Sequence, residues 1–153
     1  MSEQNKINIS FRISSIKTLK FYIDNVSVVD NAKNESFEFN ISLAVFIDSV
    51  KNNVGFDIVF DVYSDKSKSI QLSELITRTE YNIINFQDVI KPKSTPNQFE
   101  IPDQFMLTLV SIALSTTRGI FAAKIEGSAL SNVIMPVVDP KTFIKISPPG
   151  IKN

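Results

Sequence analysis

Two runs of strict apolar–polar alternation constrain this chain more than any other feature. Phe37, Phe39, Ile41, Leu43, Val45 and Ile47 form the first, and Val54, Phe56, Ile58, Phe60 and Val62 the second. A period of two over eleven residues places every apolar side chain on one face of an extended strand. Lys51-Asn52-Asn53 between the runs is turn chemistry. Ile7, Ile9, Phe11 and Ile13 alternate in the same way, and the rhythm resumes at Leu19, Phe21 and Ile23. A polar-rich connection over 24–35 follows, carrying Val26, Val28 and Val29. After the Asp65–Lys68 turn a fourth strand is predicted from Ile70 to about Ile84, with a phase slip between Leu72 and Leu75 that indicates a bulge. Long strands joined by short turns predict an antiparallel meander with one covered face.

The rhythm changes after the Pro-containing loop Lys91–Pro102. Phe105, Leu109, Ile112, Thr116 and Ile120 fall at helical spacing, behind Pro102 and Asp103, which suit a helix start. Gly127 is a plausible stop, so one helix of about 22 residues is expected. Val133–Val138 is interrupted by Pro136 and Pro140 and reads as extended. The expected class is α+β: a four-stranded antiparallel sheet packed with one long helix, a second C-terminal helix being short or absent.

Length turns this into a statement about assembly. Four strands are about 19 Å wide at ~4.8 Å spacing, and a helix with its side chains is only ~10–12 Å across. One helix covers roughly half the apolar face. The alternating apolar side chains on the first three strands require burial, each worth about 1.5–3 kcal/mol. The C-terminal segment, a second copy or an apolar ligand must cover the remainder. Gly119, costing about 1 kcal/mol within a helix relative to Ala, is expected at a close approach of another backbone in an oligomer.

Composition removes most catalytic chemistry. The chain has no Cys and no His, 16 Lys+Arg against 16 Asp+Glu, and only four Gly. Thiol and Ser–His nucleophiles, His- or Cys-based metal sites and phosphate-cradling glycine loops are therefore not expected. The charge balance does not suggest a nucleic-acid binder. Asp57, Asp61, Glu74 and Glu80 fall on adjacent strands as a possible acid–base or cation pair, but a solvated or partner-facing surface explains them more simply. Ser115-Thr116-Thr117-Arg118 lies inside the helix, where back-bonding hydroxyls are expected rather than an anion site. Four N-x-[ST] triplets, at Asn8, Asn25, Asn34 and Asn40, accompany no secretory signal. The stretch Phe105–Ala123 holds Arg118 and five Ser/Thr hydroxyls, so no membrane span is expected. The chain is expected to be cytoplasmic, to carry no cofactor and not to be an enzyme.

Several strings, in order, resemble the SecB-type protein-export chaperones, in particular the divergent branch found beside toxin–antitoxin pairs. They are Phe11-Arg12-Ile13-Ser14-Ser15-Ile16, the two alternating strands, and Ile70-Gln71-Leu72-Ser73-Glu74-Leu75. Ile101-Pro102-Asp103 then leads through Ser115-Thr116-Thr117-Arg118-Gly119-Ile120 to Met135-Pro136-Val137. The resemblance implies a SecB-like chaperone domain over 7–145, a flexible N-terminus over 1–6 and a flexible tail over 146–153. It further implies a homotetramer built as a dimer of dimers, acting as an ATP-independent holdase for unfolded client polypeptides such as export precursors. The implied client groove draws on Val26, Val28, Val29, Phe86, Val89, Ile90, Met135, Val137, Val138 and Phe143. Asp24, Leu72 and Glu74 occupy places matching a docking surface for the translocase motor ATPase, with Lys20 where an acid is expected. Two alternatives accompany this reading: a dedicated partner stabilising an antitoxin, and a binder of small apolar ligands.

Overall fold

The structure, a computed structural model, describes residues 8–30 and 36–146, with the backbone alone at 29, 30, 145 and 146. Ile7, the N-terminal residues 1–6 and the tail beyond 146 lie outside the described residues, as does the side chain of Val29. The elements are β1 (Phe11–Ile23), α1 (Asn25–Asp30), β2 (Glu38–Asp48), β3 (Asn53–Tyr63), β4 (Gln71–Ile83), α2 (Phe86–Val89), β5 (Lys91–Pro92), β6 (Phe99–Glu100), α3 (Asp103–Ile125) and α4 (Lys141–Ile146). The class is the expected one, with the second helix short.

The sheet is fully antiparallel, but its order is β1-β4-β3-β2. The expected meander is therefore corrected: β2, β3 and β4 are joined by hairpins, whereas β1 lies at the far edge beside β4. The connection after β1 crosses the whole sheet to reach β2. It contains α1, whose first turn is capped by Asp24: the Ser27 amide donates to Oδ1 at 3.0 Å. The loop expected over 91–102 contains the small β5–β6 hairpin.

Register explains where alternation was broken. Val62 pairs with Ser73 and Tyr63 with Gln71, leaving Leu72 as the extra residue. This is the bulge that the phase slip between Leu72 and Leu75 indicated. β1 carries two further irregularities, between Ile13 and Ser15 and between Thr18 and Lys20. Each moves the apolar phase by one residue, so Phe11, Ile13, Ile16, Thr18, Phe21 and Ile23 all stand opposite core-facing positions of β4. The bulges also disrupt this edge against further pairing.

α3 lies on one face, over the two central strands. Its Phe105, Leu109, Val110, Ala113, Thr117 and Phe121 are buried against Val54, Phe56, Ile58 and Phe60 of β3 and against Leu75, Tyr81 and Ile83 of β4. Phe121 stacks edge-on to Phe60 at 4.7 Å, and Phe105 meets Phe11 at 5.4 Å, so the helix runs the length of the sheet. It is long and apolar enough to cross a membrane by length and composition, a property shared with core helices like this one. Gly127, at φ +77°, takes the left-handed conformation that ends it.

Coverage of the sheet is incomplete, as its width requires. β3 and β4 are buried, whereas Phe39, Ile41, Leu43, Val45 and Ile47 on the same face of β2 are only partly buried. On β1, Ile13 and Ile16 remain 45% and 47% exposed.

Candidate functional site

The chain beyond α3 runs back beside it toward the β2 flank. Leu130, Val133 and Met135 are buried, and Arg118 fixes the segment from the helix. Its Nε donates to the Met135 carbonyl at 3.1 Å and its Nη2 to the Pro136 carbonyl at 3.3 Å. α4 then brings Phe143 and Ile144 down beside β2.

Two cavities result. A small recess of about 30 Å³ is lined by Leu43, Val45, Ile101, Asp103, Met106, Val110, Phe143 and Ile144. Beside it an open cleft of about 510 Å³ is formed by Ile41, Ser42 and Leu43 of β2 facing Val138, Asp139, Thr142 and Phe143. The floor is aliphatic, the walls mix aliphatic and hydroxyl groups, and Asp139 is the charged residue on the rim. β2 is also the sheet edge on this side. Its pairing with β3 runs residue for residue from Glu38 to Asp48 without a register shift, and no lysine or proline interrupts it. Beside the cleft an undistorted strand edge therefore offers backbone groups to an extended chain. The arrangement can hold an apolar, extended segment, and its lining carries no basic group.

The implied groove residues are only partly assembled here. Val138 and Phe143 line the cleft. Val26 and Val137 are exposed elsewhere on the surface, at 74% and 87%. Val28, Phe86, Val89, Ile90 and Met135 are core residues and are corrected as groove residues. The physical reason is that the two short helices α1 and α2 close the ends of the sheet and turn the first four inward, while Arg118 draws the segment carrying Met135 against α3. Ile41, Leu43, Val45, Met106 and Arg118 were missed as cleft-forming residues. Alternation marks β2 and β3 alike, and only the strand order distinguishes an edge floor from a central one.

The three residues of the implied docking surface do not share one environment. Leu72 is fully buried and is corrected as a surface residue, because its bulge turns it into the core. Asp24 uses its carboxylate to cap α1, and the Ser27 hydrogen bonds hold it below its ordinary value. Glu74 forms an ion pair with Lys20, which raises the Lys20 ammonium above its usual value. Lys20 thus offsets the charge of Glu74 within the chain, while the hydrogen bonds to Asp24 favour its ionised form.

Asp57 and Asp61, of the paired carboxylates, are engaged within the sheet. Arg78 makes two 2.7 Å hydrogen bonds to Asp57 and lies 4.6 Å from the ring centroid of Phe46. Asp61 accepts from Gln71 Nε2 at 3.0 Å and Asn40 Nδ2 at 3.3 Å, and burial pushes its carboxyl up. Among the described residues no group of three or more His, Cys, Asp or Glu side chains is placed to hold a metal ion.

The outward face of α3 is a second unusual surface. Thr108, Ser111, Ser115, Gly119, Ala122 and Ala123 are exposed along it and carry no charge. Nothing lies within 4 Å of a Cβ added at Gly119. Within one protomer the close approach expected there is not made.

No family model matches the chain, and no curated protein does. Ten chains of solved structures match in shape, among them the following two. One is a SecB-like chaperone of Mycobacterium tuberculosis in complex with a ChAD peptide from an antitoxin, at 9% identity and a TM-score of 0.48, covering 84% of this chain and 90% of that one. The other is a protein of unknown function from Streptococcus agalactiae, at 8% identity and a TM-score of 0.34, covering 85% of this chain and 99% of that one.

Proposed function

We propose that this protein is a cytoplasmic, non-catalytic holdase that binds extended apolar polypeptide segments in the cleft beside β2. The observation carrying this reading is the half-covered floor of Ile41, Leu43 and Val45, left open beside an undistorted sheet edge. Burying each apolar client side chain there contributes about 1.5–3 kcal/mol, part of which the ordering of the client chain offsets. Such binding requires neither nucleotide nor metal. The resemblance to SecB-type chaperones adds two client classes, export precursors and a dedicated antitoxin. Holding either uses the same cleft.

In this reading the chain acts as an oligomer. The uncharged outward face of α3, with Gly119 at its centre, supports contact with another copy, and a tetramer built from dimers follows from the family resemblance. Engagement of the translocase motor would use Asp24 and Glu74, without Leu72, and would have to compete with the Lys20–Glu74 pair.

The test is aggregation of an unfolded model substrate, followed by light scattering with and without the protein. Suppression near stoichiometric ratio, unaffected by ATP, is expected. Leu43→Asp should abolish it, because a carboxylate on the floor repels apolar side chains and costs desolvation. A cleft of about 510 Å³ also falls in the size range of small-ligand sites. Unchanged aggregation with several substrates, together with tight binding of one small apolar compound, would replace the holdase by that second reading.

A further inference from the structure

The outward face of the sheet, opposite α3, carries its charges in an ordered way. In register across β1, β4 and β3, Lys17 stands opposite Arg78 and Arg78 opposite Asp57. The next outward row holds Lys20, Ile76 and Val59, and the one beyond it Tyr22, Glu74 and Asp61. β1 contributes three basic residues, Arg12, Lys17 and Lys20, and no acid. The acids belong to the inner strands, and in each ion pair of this region the acid is the less exposed partner. The Glu74 side chain is 18% exposed against 58% for Lys20, and Asp57 25% against 36% for Arg78. Asp61 is buried and bonded to the Asn40 and Gln71 amides. Arg12 and Lys17 are exposed and form no ion pair with a described residue. A chain without net charge therefore presents a basic strip along one edge, because its pairs point the acid inward and the cation outward. Glu80, half-buried opposite Ser15, is the acid that remains unpaired there.

Apolar groups accompany the strip. Leu19, the extra residue at the second irregularity of β1, is 47% exposed, and Tyr22 is 43% exposed. We propose that the outward side of β1 docks an acidic polypeptide segment that also carries apolar side chains, its carboxylates meeting Arg12, Lys17 and Lys20 and its apolar residues Leu19 and Tyr22. Complementary charge of this kind selects a partner and its register. A second copy is the poorer occupant: β1 paired with itself about its midpoint would set Lys17 against Lys17 of the other copy, and like charges directly opposite are unfavourable. A nucleic acid is poorer too. Its phosphates carry charge at every step and would be repelled at Glu80 and Glu74, whereas a polypeptide can place neutral residues there. The strip lies on the face of the sheet opposite the apolar floor of the cleft, so it is a second surface and does not depend on the holdase reading.

The probe is a short fluorescein-labelled peptide of alternating glutamate and leucine, titrated against the full-length chain by fluorescence anisotropy. Binding is expected at low salt and should weaken at physiological salt, where exposed charges are screened beyond about 8 Å. Arg12→Glu combined with Lys17→Glu should weaken it about tenfold, because each reversal removes an attraction and adds a repulsion. The same double variant should bind the lysine–leucine counterpart more tightly than the wild type does, a gain that a misfolded variant could not supply. Leu43→Asp, in the cleft, should leave binding of the glutamate peptide unchanged. No binding by the wild type at low salt, equal binding of both peptides by the wild type, or a double variant that fails to reverse the preference would overturn the proposal. Loss of binding in Leu43→Asp would place the peptide in the cleft, overturning the strip as its site while supporting the holdase reading. Tighter binding of a single-stranded oligothymidylate of equal charge would assign the strip to nucleic acid and overturn the proposal as well.

Discussion

Thr77 and Thr79 stand two residues apart on the same face of β4, both buried beneath α3, yet replacing each by valine should change stability with opposite sign. The Thr79 hydroxyl has no hydrogen-bond partner among the described residues, and the residue is 1% exposed. Valine keeps the branched shape and removes the oxygen. Relief of a buried unpaired hydroxyl is worth about 1–3 kcal/mol, so Thr79→Val should stabilise by about 1 kcal/mol at the lower end. Thr77 is different. Thr117 has a single hydroxyl proton, which it donates to the Ala113 carbonyl at 2.9 Å. The 2.6 Å contact between Thr77 and Thr117 must therefore use the Thr77 proton, with Thr117 accepting. Thr77→Val loses that bond and should cost about 0.5–1.5 kcal/mol. Urea unfolding at one fixed protein concentration measures both, since assembly would make apparent stability concentration-dependent. For a chain of this length the melting temperature should move by roughly 2–4 °C per kcal/mol. A Thr79→Val variant no more stable than wild type, or shifts of the same sign for both variants, would refute this assignment of protons.

Three further outcomes follow from the outer face of the sheet and from α3. A Cβ at Gly55 would meet the tip of the Phe46 ring at 1.9 Å, so Gly55→Ala should expel the ring and lose its contact with Arg78, worth about 0.5–1 kcal/mol. In a Phe46→Ala background the same change should become stabilising by about 0.5–1 kcal/mol, and urea unfolding of the four proteins reads the reversal. Burial raises the Asp61 carboxyl pKa, so the folded state binds this proton more tightly than the unfolded chain and loses stability as pH rises through the raised value. Asp61→Asn should therefore be more stable than wild type at neutral pH, with the advantage vanishing below the ordinary carboxylate range in thermal melts across pH. Gly119→Leu meets no atom within the protomer and should leave circular dichroism unchanged while shifting light-scattering mass from near four times 17.1 kDa toward smaller species.

How far the sequence reached depends on what period-two alternation encodes. It records which side chains share a face, and so the strands, the bulge at Leu72 and the span of α3 were legible. It does not record strand order. Phe37–Ile47 and Val54–Val62 read alike, yet β3 is central and fully covered while β2 is an edge with a half-open face. On β1 two irregularities hide a continuous core-facing row, which is why the alternation lapses after Ile13 and resumes only at Leu19. The burial of Val28, Phe86, Val89 and Ile90 among the implied groove residues has a related reason. An apolar residue in a connection is equally compatible with a recognition surface and with a plug at the end of a sheet. Val28, Phe86, Val89 and Ile90 proved to be the latter. Arg118 was recognised as lying within a helix, but its two carbonyl partners are 17 and 18 residues away in a stretch without periodicity.

The width of the sheet links these observations to function. One helix centred on β3 and β4 leaves two uncovered flanks, and the chain treats them differently. On the β2 side it supplies its own cover, the segment pinned by Arg118 and the Phe143 wedge of α4, and leaves the strand edge regular. On the β1 side Ile13 and Ile16 stay exposed above a strand whose edge is broken by two bulges. A regular edge beside a partly covered aliphatic floor suits a flank that receives an extended occupant, because its backbone groups and its apolar side chains are both accessible. An irregular edge with exposed aliphatic side chains lacks that regular ladder. In the holdase reading client exchange therefore belongs to the β2 flank, and permanent burial of Ile13 and Ile16 falls to assembly.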